Sequence, residues 1–123
     1  MRYACLVYHE EKKPDALSEA ELAAVVNECA AWVEELTRSG HHVVSMGLQG
    51  VRAATTVWNR NGKLFMTDGP FAETKEFLGG FTLIEARDLN EAISLVAKSP
   101  AARLGSVEVR PVLELDVGQK SHP

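Results

Sequence analysis

Residues 2–9 (RYACLVYH) are nearly all apolar or β-forming, which predicts a strand. Pro14 and Asp15 mark a loop, after which Ser18-Glu19-Ala20-Glu21 has the form of a capping box. In such a box the serine hydroxyl and the glutamate carboxylate each satisfy a backbone N–H that the first helical turn leaves open. Leu22, Val25, Val26, Cys29, Trp32, Val33 and Leu36 then recur at helical spacing and predict one apolar face. Arg38 suits the negative end of the helix dipole, and Gly40 supplies the stop.

The pattern then turns to short strands. Residues 43–48 predict the second, and residues 54–59 and 63–67 predict a hairpin about Asn61-Gly62, a pair that tolerates the positive φ angles of a tight turn. Residues 68–79 read as a loop and residues 80–86 as a further strand. Asp88-Leu89-Asn90-Glu91 repeats the capping logic and opens a helix with Ala92, Ile93, Leu95 and Val96 inward and Pro100 at its end. Residues 106–115 predict the last strand, with Pro111 assigning it to a sheet edge, where no ladder donor is needed.

The order β-α-β-hairpin-β-α-β is a split βαβ pattern. The fold class expected is therefore α+β: a ferredoxin-like βαββαβ antiparallel sheet with an inserted β-hairpin. Residues 1–117 form one domain without repeat or linker, and the tail 118–123 is expected to fray.

Right-handed crossovers place both helices on one face of such a sheet. The other face should then be polar in a monomer, and it is not. In the first strand Tyr3, Cys5 and Val7 point one way and Ala4, Leu6 and Tyr8 the other, while Phe81 and Leu83 alternate with Thr82 and Ile84. A second copy packed sheet to sheet is the simplest cover, so a homodimer is expected. The competing possibility is that the hairpin folds over this face.

Composition narrows the classes. The chain has 123 residues and a formal net charge of -4, so no basic field is available for nucleic acid or anionic lipid. An RNA-binding reading of the same strand order also fails on chemistry: Phe81 stands alone where two or three stacking rings are needed. Cys5 and Cys29 lie far apart with no C-x-x-C spacing, which predicts two reduced thiols and no metal site. The apolar run from Tyr3 to Tyr8 is too short for a signal or a membrane span, and His9, Glu10, Glu11, Lys12 and Lys13 follow it. A cytoplasmic protein with no membrane partner and no cofactor is the expectation.

The densest unusual run is Thr67-Asp68-Gly69-Pro70-Phe71-Ala72-Glu73-Thr74-Lys75-Glu76-Phe77-Leu78-Gly79-Gly80-Phe81. Asp-Gly-Pro is turn chemistry: Asp68 is expected to bond its own backbone two residues on, Gly69 to take unusual dihedrals, and Pro70 to fix the exit. TDGPFAETKE followed by LGGF resembles the signature of DGPF-domain proteins, a branch of the YCII-related family. The likeness extends from MRYACLVYHE through GLQ and ATTV to LIEARDLNEAISLVAKSPAARLGSVEVRPVLEL. What the resemblance implies is a subunit pairing as a dimeric α+β barrel. The wider family is thought to use a His–Asp pair with the histidine on the first helix. This sequence has no histidine between Ser18 and Arg38, so that dyad is not carried over.

Asp68, at a strand end beside a tight turn, is the candidate catalytic residue, suited to act as a general base or to hold a hydroxylated or cationic ligand. Glu73 and Lys75 are candidates for the same cleft, or else a solvated pair. Arg110 shares one side of the last strand with Glu108, where its guanidinium suits an anion, although an exposed edge strand explains both residues as well. His9 is expected at the surface beside Glu10. His41 and His42 should point to opposite faces, which argues against a shared metal, and His122 belongs to the tail. Two functions stay open: small-molecule binding near the DGPF loop with metal-independent acid–base catalysis, or a non-catalytic regulatory dimer in which the motif is structural.

Overall fold

The computed structural model describes residues 1–10, 18–72 and 74–114. The strands are β1 (Arg2–His9), β2 (His42–Gly47), β3 (Thr55–Arg60), β4 (Lys63–Asp68), β5 (Phe77–Glu85) and β6 (Ser106–Pro111). The helices are α1 (Glu19–Arg38), α2 (Leu89–Val96) and α3 (Pro100–Leu104), with a 3₁₀ turn at Val51–Ala53. Four strands form an antiparallel sheet in the order β2-β5-β1-β6, and β3-β4 is a separate two-stranded sheet. This α+β arrangement is compatible with the ferredoxin-like fold, and Pro111 lies on an edge strand as its chemistry requires.

Local signals account for most boundaries. The capping box forms in full: Ser18 Oγ accepts from Glu21 N–H, and Glu21 Oε1 accepts from Ser18 N–H. At the hairpin Asn61 and Gly62 have φ of 55° and 79°, the two positive angles of a tight primed turn. Two boundaries differ from expectation. Pro100 does not end the second helix. It opens α3, with the Ser99 hydroxyl capping it and proline at a first-turn position where no N–H is needed. β5 begins at Phe77 rather than at Gly80, because Phe77 and Leu78 pair with His9 and Tyr8 of β1. The expectations for Pro14-Asp15, residue 115, the 118–123 tail and His122 lie outside the described residues.

The core lies between the sheet and the helices. Tyr3, Cys5 and Ile84 from the sheet meet Leu36 of α1 and Ala92 and Val96 of α2, all buried. Trp32 of α1 packs against this cluster and donates its indole N–H to Leu95 O at 3.0 Å, tying α1 to α2. Only the C-terminal half of the apolar face of α1 is used in this way. Leu22 and Val26 remain 54% and 57% exposed, so the N-terminal half of the helix stands clear of the sheet.

The opposite face of the sheet carries two cross-strand rows. Met46, Phe81 and Leu6 continue into Glu108, and Val44, Leu83 and Ala4 continue into Arg110. The hairpin forms no ladder with this sheet and keeps its own apolar residues exposed, among them Val57, Leu64 and Met66.

Candidate functional site

The Asp-Gly-Pro turn is fastened by its glycine. Gly69 takes φ of 104°, a conformation that side chains disfavour. Its N–H donates to Ala54 O at 2.8 Å, and its carbonyl accepts from Thr56 Oγ1 at 2.8 Å. Asp68 ends β4 opposite Thr55 and is exposed. The expected bond from Asp68 to its own backbone two residues on does not form. That residue is Pro70, which has no N–H, and among the described residues the Asp68 carboxylate makes no hydrogen bond or ion pair. The ring of Phe71 leans on Trp58 of β3, with centroids 6.3 Å apart.

Beside this turn lies an open cleft of about 530 Å³, walled by Leu48, Gly50, Val51, Ala54, Pro70 and Phe77. Its walls are held by backbone bonds: Leu48 N–H donates to Gly79 O and Ala54 N–H to Val51 O. The lining is mostly apolar, with the Gln49 amide as its polar side chain.

The other candidates are dispersed. Lys75 is exposed, with Nζ 3.4 Å from Glu10 Oε1. Arg110 lies on the open face of the sheet, where its guanidinium is engaged by Glu108 on the same strand through Nε at 2.8 Å and through a second, shorter contact. Among the described residues no contact joins Asp68, Lys75 and Arg110. Glu73 lies outside the described residues. His41 Nδ1 donates to Glu85 O at 2.8 Å. His42 Nε2 instead meets Ser45 Oγ at 2.9 Å, and that hydroxyl in turn meets Thr82 Oγ1 at 3.0 Å. Among the described residues no three His, Cys, Asp or Glu side chains form a group that could hold a metal ion.

His9 departs from its expected surface position. The ring is half-buried, lies across β5 at Gly79, and lines a second cavity of about 370 Å³ between the end of β1, α1 and α3. A Cβ at Gly79 would come within 2.1 Å of His9 Nε2, and one at Gly105 within 3.2 Å of His9 Cβ. Gly79 is therefore a place where the imidazole rests on bare backbone, whereas Gly80 makes room for the backbone of β2. Both glycines are visible in the sequence, but their partners lie on two other strands, and the pairing of Gly79 with His9 is what sequence reasoning missed.

The two thiols differ. Burial pushes Cys5 up to about 11. Cys29 is also raised, first by partial burial and then by the neighbouring Glu28 carboxylate, against an opposing effect of Arg103.

The profile of the YCII-related domain family matches residues 1–116, and the chain belongs to that family. A relative 36% identical over 114 residues, an uncharacterised protein of Rhizobium meliloti, covers 91% of this chain and 92% of its own length. No helix among the described residues is long and apolar enough to cross a membrane.

Proposed function

We propose that this protein binds a small molecule in the cleft beside the DGPF loop, with metal-independent acid–base chemistry supplied by Asp68. The observation that carries the reading is a cleft of metabolite size whose walls are fixed by backbone hydrogen bonds, with an unpaired carboxylate two residues from Pro70 on its rim. An ionised carboxylate with no competing partner is free to accept a proton from, or bind, a hydroxyl group.

A specific observation favours a second reading, a non-catalytic regulatory dimer in which the motif is structural. Both backbone groups of Gly69 are spent on holding the hairpin to the loop. A thermal-shift screen of a metabolite panel on wild type and Asp68→Asn separates the two. A ligand at a hundred times its Kd adds about 2.7 kcal/mol of stability. Stabilisation of wild type alone supports the first reading; a lower melting temperature of Asp68→Asn with no compound bound supports the second.

We further propose that two copies pack through the open faces of their sheets as a dimeric barrel. Leu6, Phe81 and Leu83 on that face are only half-buried and Met46 is exposed, the core of the helices lies on the other face, and closing these side chains away from water contributes about 25 cal/mol per Å². Light scattering should give twice the 13.4 kDa chain mass, and Phe81→Asp should return it to one chain. A single-chain mass for wild type at micromolar concentration would sink the dimer.

A further inference from the structure

The hairpin presents the most open edge among the described strands. A sheet of two strands needs a further strand or layer to be stable in water, and β3-β4 has none in its own chain. Every residue of β4 is exposed, Leu64, Phe65 and Met66 included, whereas Trp58 of β3 is half-buried under Phe71. The other free edges are blunted. β6 carries Pro111 and the Glu108–Arg110 ion pair, and β2 has a register shift between His42 and Val44. β4 pairs with β3 without a shift and holds no proline.

The ladder fixes which groups of that edge are open. In an antiparallel pair, hydrogen-bonded and non-bonded residue pairs alternate. Gly69 N–H donates to Ala54 O, so 54 and 69 are a bonded pair, and by alternation so are Thr56/Thr67, Trp58/Phe65 and Arg60/Lys63. The N–H and C=O groups of Leu64, Met66 and Asp68 therefore point away from β3, in a row along the outer edge. On the β3 side the outward groups are those of Thr55, Val57 and Asn59.

This edge is complementary to itself. Arg60 and Lys63 flank the turn with no carboxylate partner among the described residues, and Asp68 stands unpaired at the far end of β4. A second β4 laid antiparallel sets each cationic turn toward the other strand's carboxylate end, whereas a parallel one sets like charge on like. Using all three outward residues of each strand requires Met66 to meet its own copy across a two-fold axis, with Leu64 opposite Asp68 of the partner subunit.

We propose that β4 is a docking edge for β4 of a second copy, the strands pairing antiparallel about Met66 so that two hairpins become one four-stranded sheet. The inference rests on the dimer proposed above, because an edge of six residues buries far less than the ~800 Å² per partner of a stable interface. The pairing also carries the cationic turn of each copy toward the end of the partner's β4, where the DGPF loop begins.

Amide exchange and a designed cross-link test the pairing, at a concentration where light scattering gives two chains. The N–H groups of Leu64 and Met66 should exchange at least roughly fivefold more slowly than the outward groups of Val57 and Asn59, the worth of one net hydrogen bond. Met66→Pro removes an outward donor and spares the bonds to β3. It should return Leu64 to fast exchange while Phe65 and Thr67, which report an intact hairpin, stay slow. With Cys29→Ser removing the exposed native thiol, Met66→Cys should form a disulfide between copies under mild oxidation, since bonded antiparallel neighbours lie about 5.5 Å apart at Cα. Leu64→Cys should not, because this register puts its two copies about 13 Å apart. A two-chain mass with Leu64 and Met66 exchanging as fast as Val57 and Asn59 overturns the pairing and leaves the sheet-face dimer standing. So does a bridge formed by Leu64→Cys and not by Met66→Cys. A single-chain mass overturns both.

Discussion

Adding a single methyl group at each of two adjacent glycines should separate a contact with a side chain from a contact with backbone. At Gly80 a new Cβ would lie 2.6 Å from the Met46 carbonyl oxygen and 3.3 Å from Gly47 Cα, both backbone atoms of β2. The first distance is about 1 Å short of the ~3.5 Å at which heavy atoms attract, and neither atom can rotate away. β2 must move, and it carries ladder bonds to β5 that would lengthen with it. Overpacking of this kind costs about 1–3 kcal/mol. For a domain of this size each kcal/mol lowers Tm by roughly 3–6 °C, so Gly80→Ala should melt on the order of 5–15 °C below wild type. At Gly79 the three atoms nearest the new Cβ all belong to the His9 ring, which can turn about its own bonds. Gly79→Ala should change Tm little, because the loss of one ring contact is offset by the lower chain entropy of the unfolded state, about 0.4–1 kcal/mol. It should, however, shift the His9 imidazole signals and release its bond to Glu10. Thermal unfolding followed by circular dichroism, with imidazole spectra of the same samples, makes the comparison. If Gly80→Ala melts with wild type, or Gly79→Ala leaves the His9 signals in place, the close approaches described above are wrong.

Two further outcomes follow from the titrating groups. Under native conditions iodoacetamide should modify Cys29 and spare Cys5, which is 1% exposed and, with its thiol held near 11, carries little thiolate; Glu28→Gln should speed the Cys29 reaction, and mass spectrometry showing Cys5 modified first would refute the assignment. Glu85 is held below the usual glutamate range, first by its hydrogen bond from the Met1 ammonium and then by Arg2, so its contribution is present above the unfolded-state value and is lost as pH falls through the lowered folded value. A carboxyl titration of wild type against Arg2→Gln should show Glu85 moving back toward the ordinary range in the variant, and an unchanged titration would count against this pairing.

The local elements were legible because their causes are local. Ser18 and Glu21 lie within one helical turn of each other, and Asn61-Gly62 needs only its own dihedral freedom, so both could be recognised without knowing the fold. The alternation in β1 likewise separated Tyr3 and Cys5 from Leu6, and the fold buries the first two against the helices and sets Leu6 beside Phe81 on the other face. The edge position of the last strand was legible as well, from Pro111.

What tertiary structure decided was which signals were used and which residues met. The apolar periodicity of α1 runs its full length, yet Trp32, Val33 and Leu36 come down toward the sheet while Leu22 and Val26 stay exposed and Val25 faces a cavity shared with β1 and α3. Pro100 reads the same in a sequence whether it stops one helix or starts the next, and the choice rested on Ser99 being free to cap. Lys75 shares a loop with Asp68 in the sequence but pairs with Glu10 at the end of β1, whereas Arg110 pairs with Glu108, its neighbour on one side of the same strand, so only the second partner is within reach of sequence reasoning. His9 and Gly79 stand side by side only because β1 and β5 are neighbours in the sheet. Periodicity fixes the direction in which a side chain points. What it points at is set by the register between strands, and that register is a property of the folded chain.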